Sequence, residues 1–247
     1  MSEFKLQRPT FDSSYVTHQA VDRRKEYSFP KIIQVNGDGP RYYTTEDGLK
    51  LPSMSTVLSV RKGDELKEWR ERVGEEEVNR IGNHAVKRGT RVHLLAEHYI
   101  CRNIEGFQEA YRKAMPDARE NWNGIKQVLD TRLQELRASE CQLFSRKLRI
   151  AGTTDLIGVF DNKVSVVDFK TSRKQKKREW IDSYFIQGDG YGTMWNELTH
   201  QMEPIEQIVI IIAVDGMKEA QVFVEPFGSM MSTLIETRKA FYSLNGY

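Results

Sequence analysis

The sequence predicts an α/β fold in which a mixed sheet is flanked by helices. Apolar residues recur with the period of amphipathic helices up to about residue 138, and then at every second residue, which is the period of strands. Residues 208–214 (IVIIIAV) form an unbroken apolar run of mostly β-branched side chains, which is typical of a strand buried on both faces. These patterns together predict one sheet with helices before it, within it and after it.

The first fifty residues are predicted to form an N-terminal arm and a small hairpin. Prolines and glycines interrupt the pattern up to residue 40, so only 31–35 is expected to be a short strand. Residues 41–52 (RYYTTEDGLKLP) predict a hairpin that turns at Asp47-Gly48. The remainder, 51–247, is predicted to be one domain, with a helical part up to residue 138 and a sheet core after it.

Helices are predicted to dominate the segment that follows the hairpin. Ser53 or Ser55 can cap a short helix, and Asp64 can cap a longer one that carries Leu66 and Trp69 on one stripe. Apolar stripes predict further helices at 89–100 and 117–137. The sheet core is expected to contain, in order, strands at 142–149, 153–160 and 164–169, a helix at 178–198, strands at 208–214 and 221–224, and a helix at 229–244.

Composition limits the kinds of site that the chain can build. A net charge of +2 does not indicate a polyanionic partner, so such a signal must come from local clusters. Cys101 and Cys141 cannot by themselves form a four-cysteine zinc or iron–sulfur site, and they are expected to be free thiols. No apolar run approaches the ~20 residues of a membrane span, and the N-terminus lacks the apolar core of a secretory signal. A cytoplasmic location with no membrane partner is therefore expected.

The hairpin at 152–172 (GTTDLIGVFDNKVSVVDFKTS) carries the most informative pattern. If Asp161-Asn162 forms a two-residue turn, Asp155 lies opposite Asp168, and Lys170 lies on the same face one step further. Two neighbouring carboxylates repel each other unless a cation or a proton lies between them. Mg²⁺ prefers oxygen ligands and keeps several waters, so a site with few carboxylates suits it. The pattern indicates a metal site for the hydrolysis of phosphodiesters.

A simpler interpretation stays open at this point. Asp168 and Lys170 can form a solvated ion pair on an edge strand, with Asp155 in a turn. The helix that follows favours the site, because its predicted stripe places the polar Gln187 on a packed face. The partners of this amide are expected at the carboxylates or on a bound phosphate backbone. The stripe consists of Trp180, Tyr184, Gln187, Tyr191, Met194 and Leu198.

Glycines and basic residues add to this pattern. Three glycines around Gln187, at 188, 190 and 192, predict a close approach of this helix to a neighbouring element or to a nucleic-acid strand. His93 and Glu97 share a helix face, although a lone histidine there is more often structural. Residues 170–178 (KTSRKQKKR) hold six basic side chains and no acidic one. Such a run is usually a solvated face, but here it can also hold the phosphates that lead to the site.

These residues resemble the RecB-type branch of the PD-(D/E)XK nuclease superfamily, and within it the group of the mitochondrial genome maintenance exonuclease and its bacteriophage relatives. The resemblance covers about residues 50–225. It rests on the D-x12-D-x-K hairpin, on Q-xxx-Y in the next helix and on an upstream G-xxx-H. The matching pieces are LPSMSTVL (51–58), RGTRVH (88–93), Ser139-Glu140, AGTTDLIG (151–158), VVDFKTS (166–172), and Gln187 with Tyr191.

The resemblance implies a restriction-endonuclease-like core and a role for each matching residue. The implied metal ligands are His93, Asp155, Asp168 and the backbone carbonyl of Phe169, with Glu140 as a further acidic candidate. The implied catalytic residues are Asp155, Asp168, Lys170, Gln187 and Tyr191. The expected DNA contacts are Arg88, Arg91, Thr171, Ser172, Arg173, Lys174, Lys176 and Lys177.

The resemblance also implies an activity. We expect an Mg²⁺-dependent DNA exonuclease, with Mn²⁺ as a substitute metal, that prefers single-stranded ends and stacks bases on aromatics such as Trp69 or Tyr99. No iron–sulfur cluster is expected, because the four cysteines are lacking. The apparent lack of a presequence favours a bacteriophage or bacterial source and a role in DNA replication, repair or recombination. Two alternatives stay open: a structure-specific endonuclease with this site, and a nucleic-acid-binding protein without catalysis.

Overall fold

The computed structural model describes residues 17–35, 39–61 and 71–245. Its strands are β1 (Val21–Asp22), β2 (Ile32–Val35), β3 (Tyr42–Thr45), β4 (Lys50–Pro52), β5 (Leu133–Ser145), β6 (Ile150–Phe160), β7 (Lys163–Ser172), β8 (Gln207–Val214) and β9 (Gln221–Pro226). Its helices are α1 (Met54–Leu58), α2 (Glu75–Ile100), α3 (Ile104–Lys113), α4 (Pro116–Arg132), α5 (Asp182–Leu198) and α6 (Met231–Asn245). Short 3-10 turns cover Arg24–Glu26, Ser59–Arg61 and Arg178–Trp180.

The predicted α/β class is confirmed by a mixed six-stranded sheet with the order β1-β5-β6-β7-β8-β9. Strands β5, β6 and β7 form an antiparallel meander, and β8 runs parallel to β7 and antiparallel to β9. Side chains of β8 alternate between the two faces, as strand geometry requires. Val209 and Ile211 join the cluster with the α2 and α4 side chains, whereas Ile208 and Ile210 join the cluster with α5 and α6. The sheet therefore carries helices on both faces.

The small hairpin and its helix cap also agree with the sequence. Strands β2, β3 and β4 form a separate antiparallel sheet, in which Tyr43 pairs with Leu51. Ser53 is the N-cap of α1, and its hydroxyl accepts the backbone N–H of Thr56 at 3.0 Å. Ser53 also bridges to Ala151 near the start of β6, so the hairpin is joined to the main sheet.

Two predicted helix boundaries are wrong. Helix α2 begins at Glu75, well before residue 89, and its charged first half has few apolar side chains to reveal it. The helix predicted at 117–137 ends at Arg132, and the strand β5 occupies the residues that follow. Leu133 and Leu136 have helical spacing, but pairing with β6 along its length turns this segment into a strand. The strand predicted at 142–149 correspondingly ends at Ser145.

Other differences are smaller. Helix α3 lies in a segment where no element was predicted. The helix predicted from Asp64, with Leu66 and Trp69, falls largely outside the described residues. Among the helices that the structure describes, none has both the length and the apolar character that crossing a bilayer requires.

Candidate metal and catalytic site

Three acidic residues occupy one row across three neighbouring strands. The β5–β6 register places Glu140 opposite Asp155, between the pairs Ser139↔Leu156 and Cys141↔Thr154. The turn at Asp161-Asn162 closes the next hairpin, with positive φ at both residues, as a two-residue turn of type I′ requires. Its ladder runs from Phe160↔Lys163 to Leu156↔Val167, and Asp155 and Asp168 are the next residues beyond its last pair. The row is therefore Glu140 on β5, Asp155 on β6 and Asp168 on β7.

Asp155 is held from both sides. Its Oδ2 atom accepts the backbone N–H of Phe169 at 2.8 Å, and its Oδ1 atom lies 3.2 Å from Nδ1 of His93. Burial alone would raise the pKa of Asp155, but the charges of His93 and Lys170 and the Phe169 N–H hold it below its usual value. The same ion pair acts on the imidazole: burial opposes protonation, yet Asp155 raises the pKa of His93 to about 9.

Glu140 completes a possible metal-binding group. One ligand atom from each of His93, Glu140 and Asp155 lies within 4.8 Å of the others. Burial and the Asp155 charge raise the pKa of Glu140 to about 7. The backbone of Glu140 has a φ of 46°, which side-chain-bearing residues adopt rarely and which is concentrated at functional sites. The two carboxylates repel each other, and the imidazole shares a proton with one of them. Such a group of ligand atoms fits a divalent cation.

Asp168 and Lys170 form the second half of the site. The Asp168 side chain is 5% exposed, and its Oδ2 atom lies 2.5 Å from Nζ of Lys170. Burial raises the pKa of Asp168 to about 6, against the opposing influence of the Lys170 ammonium. Burial would lower the pKa of Lys170, but the Asp168 and Asp155 carboxylates outweigh it and raise this pKa. The lysine therefore stays charged at neutral pH.

Helix α5 supplies the partners of the lysine. The Nζ atom of Lys170 donates to Oε1 of Gln187 at 3.2 Å, and Nε2 of Gln187 donates to the hydroxyl of Tyr191 at 3.0 Å. Tyr191 is 5% exposed. The Lys170 ammonium also lies 5.2 Å from the ring centroid of Tyr184. The half-buried Gln187 therefore has its hydrogen-bond partners next to the carboxylates, as its position on the predicted stripe indicated.

The glycines of α5 allow it to approach neighbouring side chains. A Cβ atom at Gly190 would lie 2.7 Å from Sδ of Met54, and one at Gly192 would lie 2.6 Å from Cε2 of Phe227. The predicted stripe on this helix is wrong at its start, because Trp180 is 61% exposed. The fully buried side chains of α5 include Phe185, Ile186 and Trp195, which the stripe omitted.

Two predicted DNA contacts are engaged elsewhere. Arg88 is 2% exposed and forms an ion pair with Asp215, whose other oxygen accepts Nδ2 of Asn121 at 3.1 Å. Ser172 is buried, and its hydroxyl donates to the backbone carbonyl of Lys174 at 2.6 Å. These placements favour structural roles. The sequence did not reveal that of Arg88, because its partner Asp215 is distant in the sequence.

The other predicted contacts are accessible to differing degrees. Thr171 is half-buried beside Gly89 of α2, and Arg91 is also half-buried. Tyr99 is 1% exposed and packs on Trp122, so a base cannot stack on it, and Trp69 lies outside the described residues. In the basic segment, Lys176 is half-buried and the exposed basic side chains are Arg173, Lys174 and Lys177.

The family model of the PD-(D/E)XK nuclease superfamily matches residues 60–227. No curated protein matches. Among solved structures, the chain is similar to the crystal structure of SSO0001, with 15% sequence identity and a TM-score of 0.34 over 63% of this chain and 70% of that chain.

Proposed function

Because the chain belongs to the PD-(D/E)XK nuclease superfamily, we propose that it is a DNA exonuclease with its site at the row of acids on β5, β6 and β7. The observation that carries this proposal is the convergence on one spot of residues from four elements. His93 comes from α2, Asp155 from β6, Asp168 and Lys170 from β7, and Gln187 from α5. Members of this superfamily are metal-dependent nucleases, and DNA is the substrate that the superfamily implies.

The residues of this site suit a hard divalent cation. Asp155, Asp168, Glu140 and His93 would hold it, together with the predicted carbonyl ligand of Phe169, and Mg²⁺ is the metal that this oxygen-rich set favours, with Mn²⁺ as a substitute. A bound cation would polarise a phosphoryl oxygen and lower the pKa of a coordinated water. Without the metal, the contact of His93 with Asp155 fixes the orientation of that carboxylate.

Lys170 is the residue of this chain that would place a positive charge next to the reacting phosphate. Its ammonium keeps its proton, so it can stabilise negative charge that grows on the phosphate oxygens during hydrolysis. Gln187 holds the ammonium from the side of α5, and the hydroxyl of the buried Tyr191 holds the Gln187 amide. This chain of contacts fixes the position of Lys170 before substrate binds, which is how a positioned charge contributes to rate.

The finer assignments rest on the resemblance. The D-x12-D-x-K, Q-xxx-Y and G-xxx-H patterns support the RecB-type branch, and that branch supports exonuclease action on single-stranded ends. The exposed Arg173, Lys174 and Lys177 support a phosphate-binding path next to Lys170. We assign the nuclease domain to residues 51–247, and the arm and hairpin of residues 1–50 add the edge strand β1 to its sheet.

End-labelled linear DNA and internally labelled circular DNA, both single-stranded and each incubated with and without Mg²⁺, test this proposal. Degradation of the linear strand only with Mg²⁺, with the circle left intact, is the expected result. Cutting of the circle would indicate an endonuclease with the same site. Binding of both substrates without cleavage of either would indicate a non-catalytic binding protein. Asp168→Ala serves as the control, because it should bind the linear strand and leave it uncut.

A further inference from the structure

Trp180 differs from the other tryptophans that the structure describes. Trp122 and Trp195 are 0% exposed, whereas Trp180 is 61% exposed. It ends the 3-10 turn Arg178–Trp180, directly before α5. The ammonium of Lys177 lies 5.3 Å from the centroid of its ring. A large aromatic surface is thus presented to solvent next to a positive charge.

This tryptophan lies close in sequence to residues of the proposed catalytic site. Tyr184 follows it by four residues and lies in the first turn of α5. The Tyr184 ring contacts the Lys170 ammonium at 5.2 Å, and Gln187 binds the same ammonium. The exposed fraction is 61% at Trp180 and 5% at Tyr191. Aromatic residues therefore occur in this segment from an exposed position, Trp180, to the buried residues around Lys170.

The segment before Trp180 supplies positive charge in a fixed position. Residues 173–178 contain five basic side chains and no acidic one. Gln221 of β9 holds the backbone of Lys176 on both sides, accepting its N–H at 2.8 Å and donating to its carbonyl at 3.0 Å. Arg178 is fixed by Glu225 at 2.7 Å and Asp182 at 2.6 Å. The exposed Lys174 and Lys177 are therefore carried by an anchored backbone.

We propose that Trp180 is a base-stacking platform for a single strand of DNA at the entrance of the site. An unpaired base stacks on the indole while the phosphates of the same strand follow Lys174 and Lys177, and the strand then passes Tyr184 to reach Lys170. Alternating aromatic and basic groups of this kind bind single strands without regard to sequence. Duplex DNA cannot bind in this way, because its bases are stacked on one another. The inference deepens the proposed function and rests on it.

Binding to a fluorescein-labelled oligo-dT, measured by anisotropy in EDTA, tests the platform. Trp180→Ala should raise the Kd about 5- to 150-fold, which is the range for the loss of one stacked base. Trp180→Phe should restore most of the affinity, because a phenyl ring still stacks. Met202→Ala is the matched control, since Met202 is 77% exposed and lies beyond the far end of α5. The dependence of Kd on salt should stay unchanged in Trp180→Ala, because no phosphate contact is lost.

A second measurement locates the stacked base. One abasic residue is moved along the oligonucleotide, and at one position it should weaken binding of the wild type without weakening binding of Trp180→Ala. A Kd of Trp180→Ala within twofold of the wild type would overturn the proposal, as would an equal loss on blunt duplex DNA. Mg²⁺-dependent cleavage by the wild type is assayed in parallel. If the wild type cleaves and the affinity of Trp180→Ala is unaltered, only the stacking platform is refuted. If the wild type does not cleave, the proposed function is refuted.

Discussion

The Nδ1 atom of His93 on α2 lies 3.2 Å from Oδ1 of Asp155 on β6. This contact joins the N-terminal helical region to the central sheet at the row of acids. A proton and a metal ion therefore compete for these two atoms, because the Asp155 carboxylate raises the pKa of the His93 imidazole to about 9. Metal binding that uses His93 as a ligand must therefore release that proton.

The first prediction concerns the two charged residues of β7. Asp168→Ala should abolish Mg²⁺-dependent cleavage, and Lys170→Ala should slow it by about 10²–10³-fold, the usual loss when one fixed group that stabilises transition-state charge is removed. Far-UV circular dichroism should show that both variants fold. Single-turnover cleavage of a labelled single strand measures the effect. Lys163→Ala is the matched control, because Lys163 is an exposed lysine at the other end of β7. Cleavage near the wild-type rate by both site variants would remove the assignment.

The second prediction concerns pH. In the metal-free protein the pKa values of Asp168 and Glu140 are raised to about 6 and about 7, and that of His93 to about 9. Groups with raised pKa values stabilise the fold fully below their unfolded values and lose this contribution as pH rises through the folded values. In EDTA, Tm should therefore fall progressively as the pH rises from 5 to 9, because these groups lose their protons. The increase in Tm caused by Mg²⁺ should grow over the same range, since the cation replaces the lost protons.

Differential scanning fluorimetry at half-unit steps of pH measures this effect. Asp168→Asn and Glu140→Gln should each flatten the dependence of Tm on pH in EDTA and reduce the Mg²⁺ response. Glu236→Gln, an exposed change on α6, should alter neither. An Mg²⁺ response that is constant across this pH range in the wild type would contradict the assigned ligands.

The β6–β7 site could be predicted from the sequence because its geometry is local. A two-residue turn fixes the register of the hairpin up to Leu156↔Val167, and counting on from that pair predicts that Asp155, Asp168 and Lys170 share a face. Gln187 could be predicted because an amide on an otherwise apolar stripe needs a partner. Both inferences depend on contacts close in sequence or on one rule of helix geometry.

The features that the sequence missed depend on contacts between distant elements. Leu133 and Leu136 fit a helix by spacing and a strand by pairing, and only β6 decides between them. The charged first half of α2 has no apolar stripe of its own to reveal its start. Arg88 resembled a solvated residue in a basic cluster, yet its burial depends on Asp215 at the end of β8. Single-sequence patterns contain no record of such partners.

The third prediction concerns the basic segment. Replacing Lys174, Lys176 and Lys177 with alanine should weaken binding of single-stranded DNA at low salt and reduce the slope of log Kd against log salt by up to about 2. The reason is that binding releases fewer counterions when fewer phosphate contacts form. Titrations at several salt concentrations measure the slope. The control replaces three exposed lysines elsewhere, Lys25, Lys147 and Lys239. If both triple variants give the wild-type slope, the segment is a solvated face.

The fourth prediction concerns Arg88. Arg88→Ala leaves Asp215 without its cationic partner, so the free energy of unfolding should fall by up to about 3–5 kcal/mol. A value near the lower end is expected, because the Asp215 side chain is 32% exposed. Urea denaturation measures the change, and Arg91→Ala, on the same helix, should have a much smaller effect. A reduced salt slope with unaltered stability would instead restore Arg88 as a DNA contact.

The fifth prediction concerns Gln187, whose amide lies between a charged lysine and a buried hydroxyl. Gln187→Ala removes the acceptor of Lys170 and the donor to Tyr191. The stability cost should be small, about 1–3 kcal/mol at most, since Lys170 keeps its contact with Asp168. The single-turnover rate should fall much further, because an ammonium without its lateral support is misplaced at the phosphate.

A melting curve and a cleavage rate from the same preparation separate these two effects. Gln187→Glu is the informative companion, since it keeps an acceptor for Lys170 while adding a negative charge next to Asp168. It should preserve the fold, retain part of the lysine contact and still cleave more slowly than the wild type, because the added charge repels the phosphate. Thr193→Ala, a half-buried change on the same helix, should leave the rate unaltered. A large fall in Tm with a wild-type rate in Gln187→Ala would make Gln187 a structural residue and leave Lys170 positioned by Asp168 alone.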